Sequence, residues 1–267
     1  MKSKIMNPFI SIILIVLMVL GLCACSDSNI SSSESESVLD GESQTETDSD
    51  DALQEEEHSS IFNEKYTVEQ VVEYFNEVVL DMEYQNGDGN FQVVQKWTEP
   101  IVYRISGDII DTDLLILQGL FDELNKIEGF PGIREASEYE FANLTLGFYH
   151  YDDFYAYMGD VIGYEEADGA VEYFFYNDTN NIYKGRIGYR ADINQEDRNP
   201  VLLEEVVNGL GIGDSELRED SIVYQWENDV QELSEMDWII IKLLYSSKIH
   251  CGMNAEECKM VIETLYY

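Results

Sequence analysis

The stretch from Asn199 to Asp214 carries oxygen-bearing side chains at helical spacing, and no other part of the chain is so well equipped for chemistry. Asn199 at an N-cap with Pro200 at the first helical position predicts a helix start. Gly211 predicts a left-handed stop. On that helix Glu204 and Asn208 are four residues apart and share a face, with Glu205 beside them. After the glycine turn the chain can bring Asp214 back towards the same face. Three carboxylates and an amide brought together could hold a cation, or hydrogen-bond the helix and the turn to each other. An acid/base pair is harder to build, because adjacent Glu204 and Glu205 point about 100° apart on a helix. A glycosidase-type dyad of either with Asp214 or Asp192 needs a separation that the spacing does not fix. The plain alternative is a solvated helix face, and spacing alone favours it.

Composition bounds what surrounds this stretch. The chain has 267 residues, 54 Asp plus Glu against 15 Lys plus Arg, and a formal charge of −39. So acidic a surface repels phosphate backbones and anionic lipid headgroups, which excludes nucleic acid as a partner. Apolar residues at 45% suffice for a sizeable core, and four cysteines are too few for a disulfide-built scaffold. No glycine-rich phosphate loop and no nucleophile elbow is present.

From Ile61 to Tyr267 the pattern is globular and reads as one domain. Thr67 is an N-cap for a helix through Val71, Tyr74, Val78 and Met82, and Asn86-Gly87-Asp88-Gly89 then breaks the chain. Trp97–Ile105 reads as a strand with Pro100 near its start. A second helix opens at Asp111 or Thr112, with Leu114, Leu115, Leu117, Leu120, Phe121 and Leu124 on its buried side. Asn143–Tyr149 alternates as a half-buried strand, and Ala170–Tyr176 with Tyr183–Tyr189 reads as a hairpin about Asn177–Asn180. A helical tail follows, in which Asn254 and Glu257 form a capping box that puts Cys258 in the first turn of the last helix. Strands with interspersed helices, then a helical tail, predict an α+β layered domain. Cys251 and Cys258 suit either a short disulfide or plain packing. The tyrosine-rich segments at 149–157 and 173–176 read as core and sheet surface ahead of a ligand-stacking surface.

The N-terminus reads as an address. Lys2 and Lys4 precede an apolar run from Phe9 to Leu22, shorter than the roughly 20 residues that span a bilayer. It ends in Leu22-Cys23-Ala24-Cys25, which resembles a bacterial lipobox. The resemblance implies a signal peptide over 1–24, lipidation of Cys25, and a protein anchored to the cell membrane on its extracytoplasmic side. Between Asp27 and Glu57 there are 12 acids and no Lys or Arg. Residues 25–60 are accordingly expected to form a disordered acidic stalk with a reach of roughly 35 Å.

The spacing Glu204-Glu205-x-x-Asn208-x-x-Gly211-x-x-Asp214 resembles the long metzincin motif H-E-x-x-H-x-x-G-x-x-H. By that resemblance Glu204, Asn208 and Asp214 stand at the three metal-ligand positions and Glu205 at the general base. Ser221-Ile222-Val223-Tyr224 lies where a Met-turn would run, with Val223 in the methionine's place. Leu233-x-x-x-Asp237-x-x-x-Ile241-x-x-Leu244-Tyr245 resembles the final helix of matrixin-type metalloproteases. A closer resemblance runs from about Trp97 to the C-terminus. Trp97-x-x-Pro100, Glu123-Leu124-Asn125, Ala142-Asn143, Glu204-Glu205, Leu210-Gly211, Asp214-Ser215, Leu244-Tyr245 and Gly252-Met253 recur in order in an uncharacterised bacterial family, domain of unknown function 2927. Its members typically carry Gln where this chain has Asn208.

The resemblance implies a zincin-like mixed sheet packed with helices, with an active-site-type helix followed by a C-terminal helix. The ligands implied for zinc are here all oxygen donors, which suit calcium or magnesium before zinc, and no cofactor is expected to be required. The expectation is a surface lipoprotein whose degenerate domain is a non-catalytic binding module for a peptide or envelope polymer. The alternatives are a metal-dependent hydrolase with Glu205 as base, and a structural envelope protein.

Overall fold

The computed structural model describes residues 61–62, 65–80, 93–159, 167–226 and 230–267. The expected signal segment, Cys25, the expected acidic stalk, Met82 and the expected break at Asn86–Gly89 lie outside them. No helix among the described residues is long and apolar enough to cross a membrane.

Among the described residues the architecture is α+β: a six-stranded, mostly parallel sheet with six α-helices. Helix α1 (Val68–Phe75) starts at Thr67, whose hydroxyl and the Gln70 side chain form a reciprocal capping box, and it runs on into a π-helical turn over Asn76–Leu80. The expected strand Trp97–Ile105 is two strands, β1 (Lys96–Trp97) and β2 (Ile101–Gly107), because Pro100 lacks the N–H a ladder needs. Then come α2 (Asp111–Leu124), β3 (Ile133–Glu135), β4 (Leu144–Tyr149) and α3 (Tyr151–Met158). The hairpin of β5 (Gly169–Phe175) and β6 (Asn181–Arg190) forms as expected, and its turn places Asn180 in the left-handed region. Helices α4 (Gln195–Gly209), α5 (Glu235–Tyr245) and α6 (Ala255–Tyr266) complete the chain, and α6 carries the expected Asn254–Glu257 capping box.

The strand order is β1-β6-β4-β2-β3, with β5 antiparallel to β6. On one side of β6, β1 pairs with Asn181 and Ile182 and β4 with Gly185 to Arg190; β5 takes the other side. Alternation then sorts the faces. Ile187, Tyr189, Val171 and Tyr173 enter the main core with Leu202, Val206 and Val207 of α4. On the opposite face α3 forms a smaller core of Phe154, Met158 and Ala170, flanked by Tyr149, Tyr155 and Tyr157, so these tyrosines pack as the plain reading expected. Close approach of α3 depends on bare backbone below it. A side chain on Gly188 would collide with Met158 and Phe154, and one on Gly147 with Tyr157.

Helix α2 corrects part of its expected buried face. Leu117, Leu120, Phe121 and Leu124 are buried, but Leu115 is 68% exposed. Asp113 is wholly buried instead, where Arg198 Nε and Gln195 Nε2 donate to its Oδ1 at 3.0 and 2.9 Å. Arg198 also donates to the carbonyls of Ala191 and Ile193 and to Gln195 Oε1, so this one ion pair ties α2 to the first turn of α4.

Candidate functional site

Helix α4 presents the chemistry, and its N-cap lies five residues before the expected one at Asn199. Asn194 is the cap, and Pro200 sits inside the helix. Proline there deprives the Glu196 carbonyl of its i→i+4 partner. The Gln231 amide reaches that carbonyl at 3.4 Å, so the helix passes the proline with its backbone satisfied.

The far end behaves as its glycine predicts. Gly211 has φ +97°, and an added side chain would overlap the Gln95 carbonyl. The last carbonyls of α4 find partners from elsewhere in the fold: Trp97 Nε1 donates to Gly209 O at 2.8 Å, and Tyr245 Oη to Leu210 O at 3.0 Å. Trp97, Leu210-Gly211 and Leu244-Tyr245, widely spaced in sequence, thus build one helix-to-loop corner.

Beyond that corner Asp214 does return to the helix. Asn208 Nδ2 donates to Asp214 Oδ1 at 3.0 Å. Glu204 and Asp214 are half-buried at the rim, whereas Glu205 is 2% and Asn208 1% exposed. Glu205 presses on β5: a Cβ on Gly169 would lie 2.5 Å from Val201 Cγ1 and 2.7 Å from Glu205 Cγ and Oε1. Burial, with the Asp214 charge added, pushes the Glu204 carboxyl well above the usual range. Burial, then the charges of Glu204 and Asp214, does the same to Glu205. Two oxygens of the group, Glu205 Oε2 and Asn208 Oδ1, are buried without a hydrogen-bond partner.

Residues remote in sequence clamp the Asp214 loop. Glu77, on the π-helical turn, accepts from the backbone N–H of Glu216 at 2.6 Å, from that of Leu217 at 3.0 Å, and from Ser215 Oγ. Burial raises its pKa, and these hydrogen bonds oppose that rise. Ser215 N donates to Val223 O at 2.7 Å, so the 221–224 turn runs beside the loop with Val223 buried in the main core. That turn hangs from Asp237, which accepts from Ser221 Oγ at 2.6 Å, Ile222 N at 3.1 Å and Ser234 N at 2.8 Å, with Tyr74 Oη at 3.2 Å. Ser221 is accordingly a buried structural hydroxyl. Sequence reasoning missed Tyr74 and Glu77, and the π-helical insertion that aims Glu77 leaves no signature at residue level.

Other candidates lie apart from this group. Asp192 is held by Arg190 at 2.6 Å, which keeps its carboxyl below the usual range. His150 is exposed and faces Asp108 at 3.9 Å, and His250 is exposed on its loop. Cys251 and Cys258 are both free thiols in this structure, and Cys258 is buried, which pushes its pKa up to about 12. Between them runs Lys96, whose Nζ donates to Leu244 O at 2.7 Å and Ile249 O at 2.5 Å; burial brings its pKa down to about 8. A surface groove of ≈ 500 Å³ is lined by Ile61, Lys126, Trp238 and Lys242, and contains none of the α4 residues.

Zinc does not fit the group. Its three ligand positions offer carboxylate, amide and carboxylate, without the nitrogen or sulfur donors that zinc favours. Among the described residues no three His, Cys, Asp or Glu side chains are grouped so as to hold a metal by themselves.

No curated protein matches this chain. Residues 68–264 match the family described as "Protein of unknown function (DUF2927)", and with well over half its length matched the chain belongs to that family.

Proposed function

We propose that this protein is an extracytoplasmic lipoprotein with a zincin-like domain that has kept the protease architecture and works as a non-catalytic binding module for a peptide or envelope polymer. In this reading residues 1–24 are removed, Cys25 carries the lipid, and residues 25–60 hold the domain away from the membrane. The observation that carries the non-catalytic reading is the burial of Glu205. At the general-base position of the motif it is 2% exposed and lies against Val201 and Gly169, where an incoming substrate does not reach it. A general base must come within hydrogen-bond reach of the proton it takes. The lack of histidine at every ligand position supports the same reading. So does the satisfied turn that Ser221, Tyr74 and Asp237 make where a methionine would underlie a metal. The zincin-like assignment draws support from the one antiparallel strand, β5, packing beside the motif helix.

The convergence of Asp214 on Asn208 is what favours the hydrolase alternative. One assay separates the two. The full chain is incubated with a peptide library and with solubilised envelope polymer, and both retention and cleavage are followed. Saturable retention without new termini is expected. Cleavage that disappears in Glu205→Gln overturns the non-catalytic reading.

A further inference from the structure

A binding role needs an accessible site, and the surface groove of ≈ 500 Å³ away from α4 offers one. Its size falls within the roughly 300–1,000 Å³ of small-ligand sites. The groove lies where two helices end. Glu123 of α2, with Lys126 and Glu128 just past its end, forms one side; Trp238 and Lys242 of α5, with Ser246 at its C-cap, form the other. Trp238 and Lys242 are four residues apart and therefore share a helix face. Trp238 is half-buried: it packs against the main core and also lines the groove. On a chain of formal charge −39 the charges here cancel, two lysines against two glutamates. Lys126 and Glu123 are ion-paired at 2.6 Å, both well exposed. Such a surface pair contributes little, so either group can turn to a ligand at small cost. Ser246 Oγ is buried and makes no hydrogen bond among the described residues.

We propose that this groove binds a neutral saccharide, with one sugar ring against the Trp238 indole and its hydroxyls shared among Glu123, Glu128, Lys126 and Lys242. The proposal rests on the binding role above and names its site and its ligand class. A sugar ring has an apolar C–H face, which suits an aromatic side chain, and a rim of hydroxyls. Each hydroxyl both donates and accepts, so it serves an ammonium and a carboxylate alike. A lining of matched lysines and glutamates calls for that kind of partner. An anion would meet two carboxylates there, and a cation two ammonium groups. Peptide recognition fits the groove less well. None of its lining residues belongs to a strand, so it offers no sheet edge for an extended chain, and its charged walls do not match the apolar face of an amphipathic helix.

The test is titration of the full chain with neutral oligosaccharides built of glucose, mannose or N-acetylglucosamine, followed by calorimetry and by tryptophan fluorescence. Polygalacturonate, an anionic polysaccharide, and a peptide library are run beside them. Saturable binding of at least one neutral oligosaccharide is expected, with a change in tryptophan emission. Of the three tryptophans, Trp97 is buried and Trp226 does not line the groove, so Trp238→Phe should abolish that change while keeping a ring to pack. Trp238→Ala should weaken binding at least about tenfold. Lys126→Met and Glu128→Gln should each weaken it about three- to tenfold. Both of these residues are exposed, so they keep the test readable if Trp238→Ala fails to fold. Binding of none of the neutral saccharides, an affinity untouched by the groove variants, or a preference for polygalacturonate would each overturn the proposal. Retention of peptide with every saccharide failing would sink this proposal alone; retention of neither peptide nor envelope polymer would sink the binding role with it.

Discussion

Replacing Glu205 with glutamine should make the protein less sensitive to alkali. In the folded chain the Glu205 carboxyl titrates well above its ordinary value, because it is buried and because Glu204 and Asp214 stand close by. In the unfolded chain it titrates near 4.3. Between those two values the native state holds a proton that the unfolded state has lost, so stability falls as pH rises through the window and is unaffected below it. Each pH unit costs about 1.4 kcal/mol while the window lasts. Glutamine has the same shape and never ionises, so Glu205→Gln escapes this slope. Above the ordinary carboxyl range the variant should therefore gain on the parent as pH rises, at no more than about 1.4 kcal/mol per pH unit. For a domain of this size each kcal/mol so gained is about 2–4 °C in melting temperature. The comparison is thermal unfolding of both proteins by circular dichroism at half-unit pH steps from 4.5 to 8, in chelator so that no ion competes with the proton. The quantity to follow is the change of the difference with pH, since any fixed cost of the amide cancels. A difference that stays flat from pH 5 to 8 would mean that Glu205 is solvated and titrates normally, and its burial could then no longer be held against a catalytic role.

Three further outcomes follow from packing. Arg198→Met strands the buried Asp113 carboxylate and should cost about 3–5 kcal/mol, while Asp113→Leu combined with Arg198→Met should recover most of it; chemical denaturation measures both. Gly211→Ala places a side chain at φ +97° and into the Gln95 carbonyl, and should lower stability by about 2 kcal/mol or more in the same assay. Lys96 titrates at about 8 when folded and higher when unfolded, so the unfolded chain binds the extra proton between those values and stability rises with pH there. Thermal unfolding from pH 8 to 10 should therefore show the parent gaining on Lys96→Met.

What the sequence disclosed about this site was local, and what it concealed was long-range. Gly211 announced its turn because only a residue without Cβ takes that conformation cheaply, and Asn208 and Asp214 were legible as partners once the turn was fixed. The hairpin of β5 and β6 and the caps at Thr67 and Asn254 were legible for the same reason, since each is settled within a few residues. The start of α4 was misplaced because Pro200 looks like a first-turn proline. Nothing near it in sequence reveals that Gln231 serves the carbonyl it orphans. Leu115 left its expected buried side because Arg198, 85 residues on from the buried Asp113, fixes which side of α2 is buried. Glu77 stayed hidden because its partners, Ser215 to Leu217, lie about 140 residues away. The burial of Glu205 is a tertiary fact of that kind, set by Gly169 on a different element.

The two ends of the described domain meet. Phe62 and Tyr266 are in edge-to-face contact with ring centroids 5.0 Å apart, and Tyr266 Oη donates to Tyr66 O at 2.7 Å. Mechanically, tension applied between these ends does not shear the sheet, whose strands all lie in the interior of the chain. It bears first on the contacts of Phe62 and Tyr66 with Tyr266. The same closeness would let it be permuted, or spliced as a unit into a surface loop of another protein, without stretching either end.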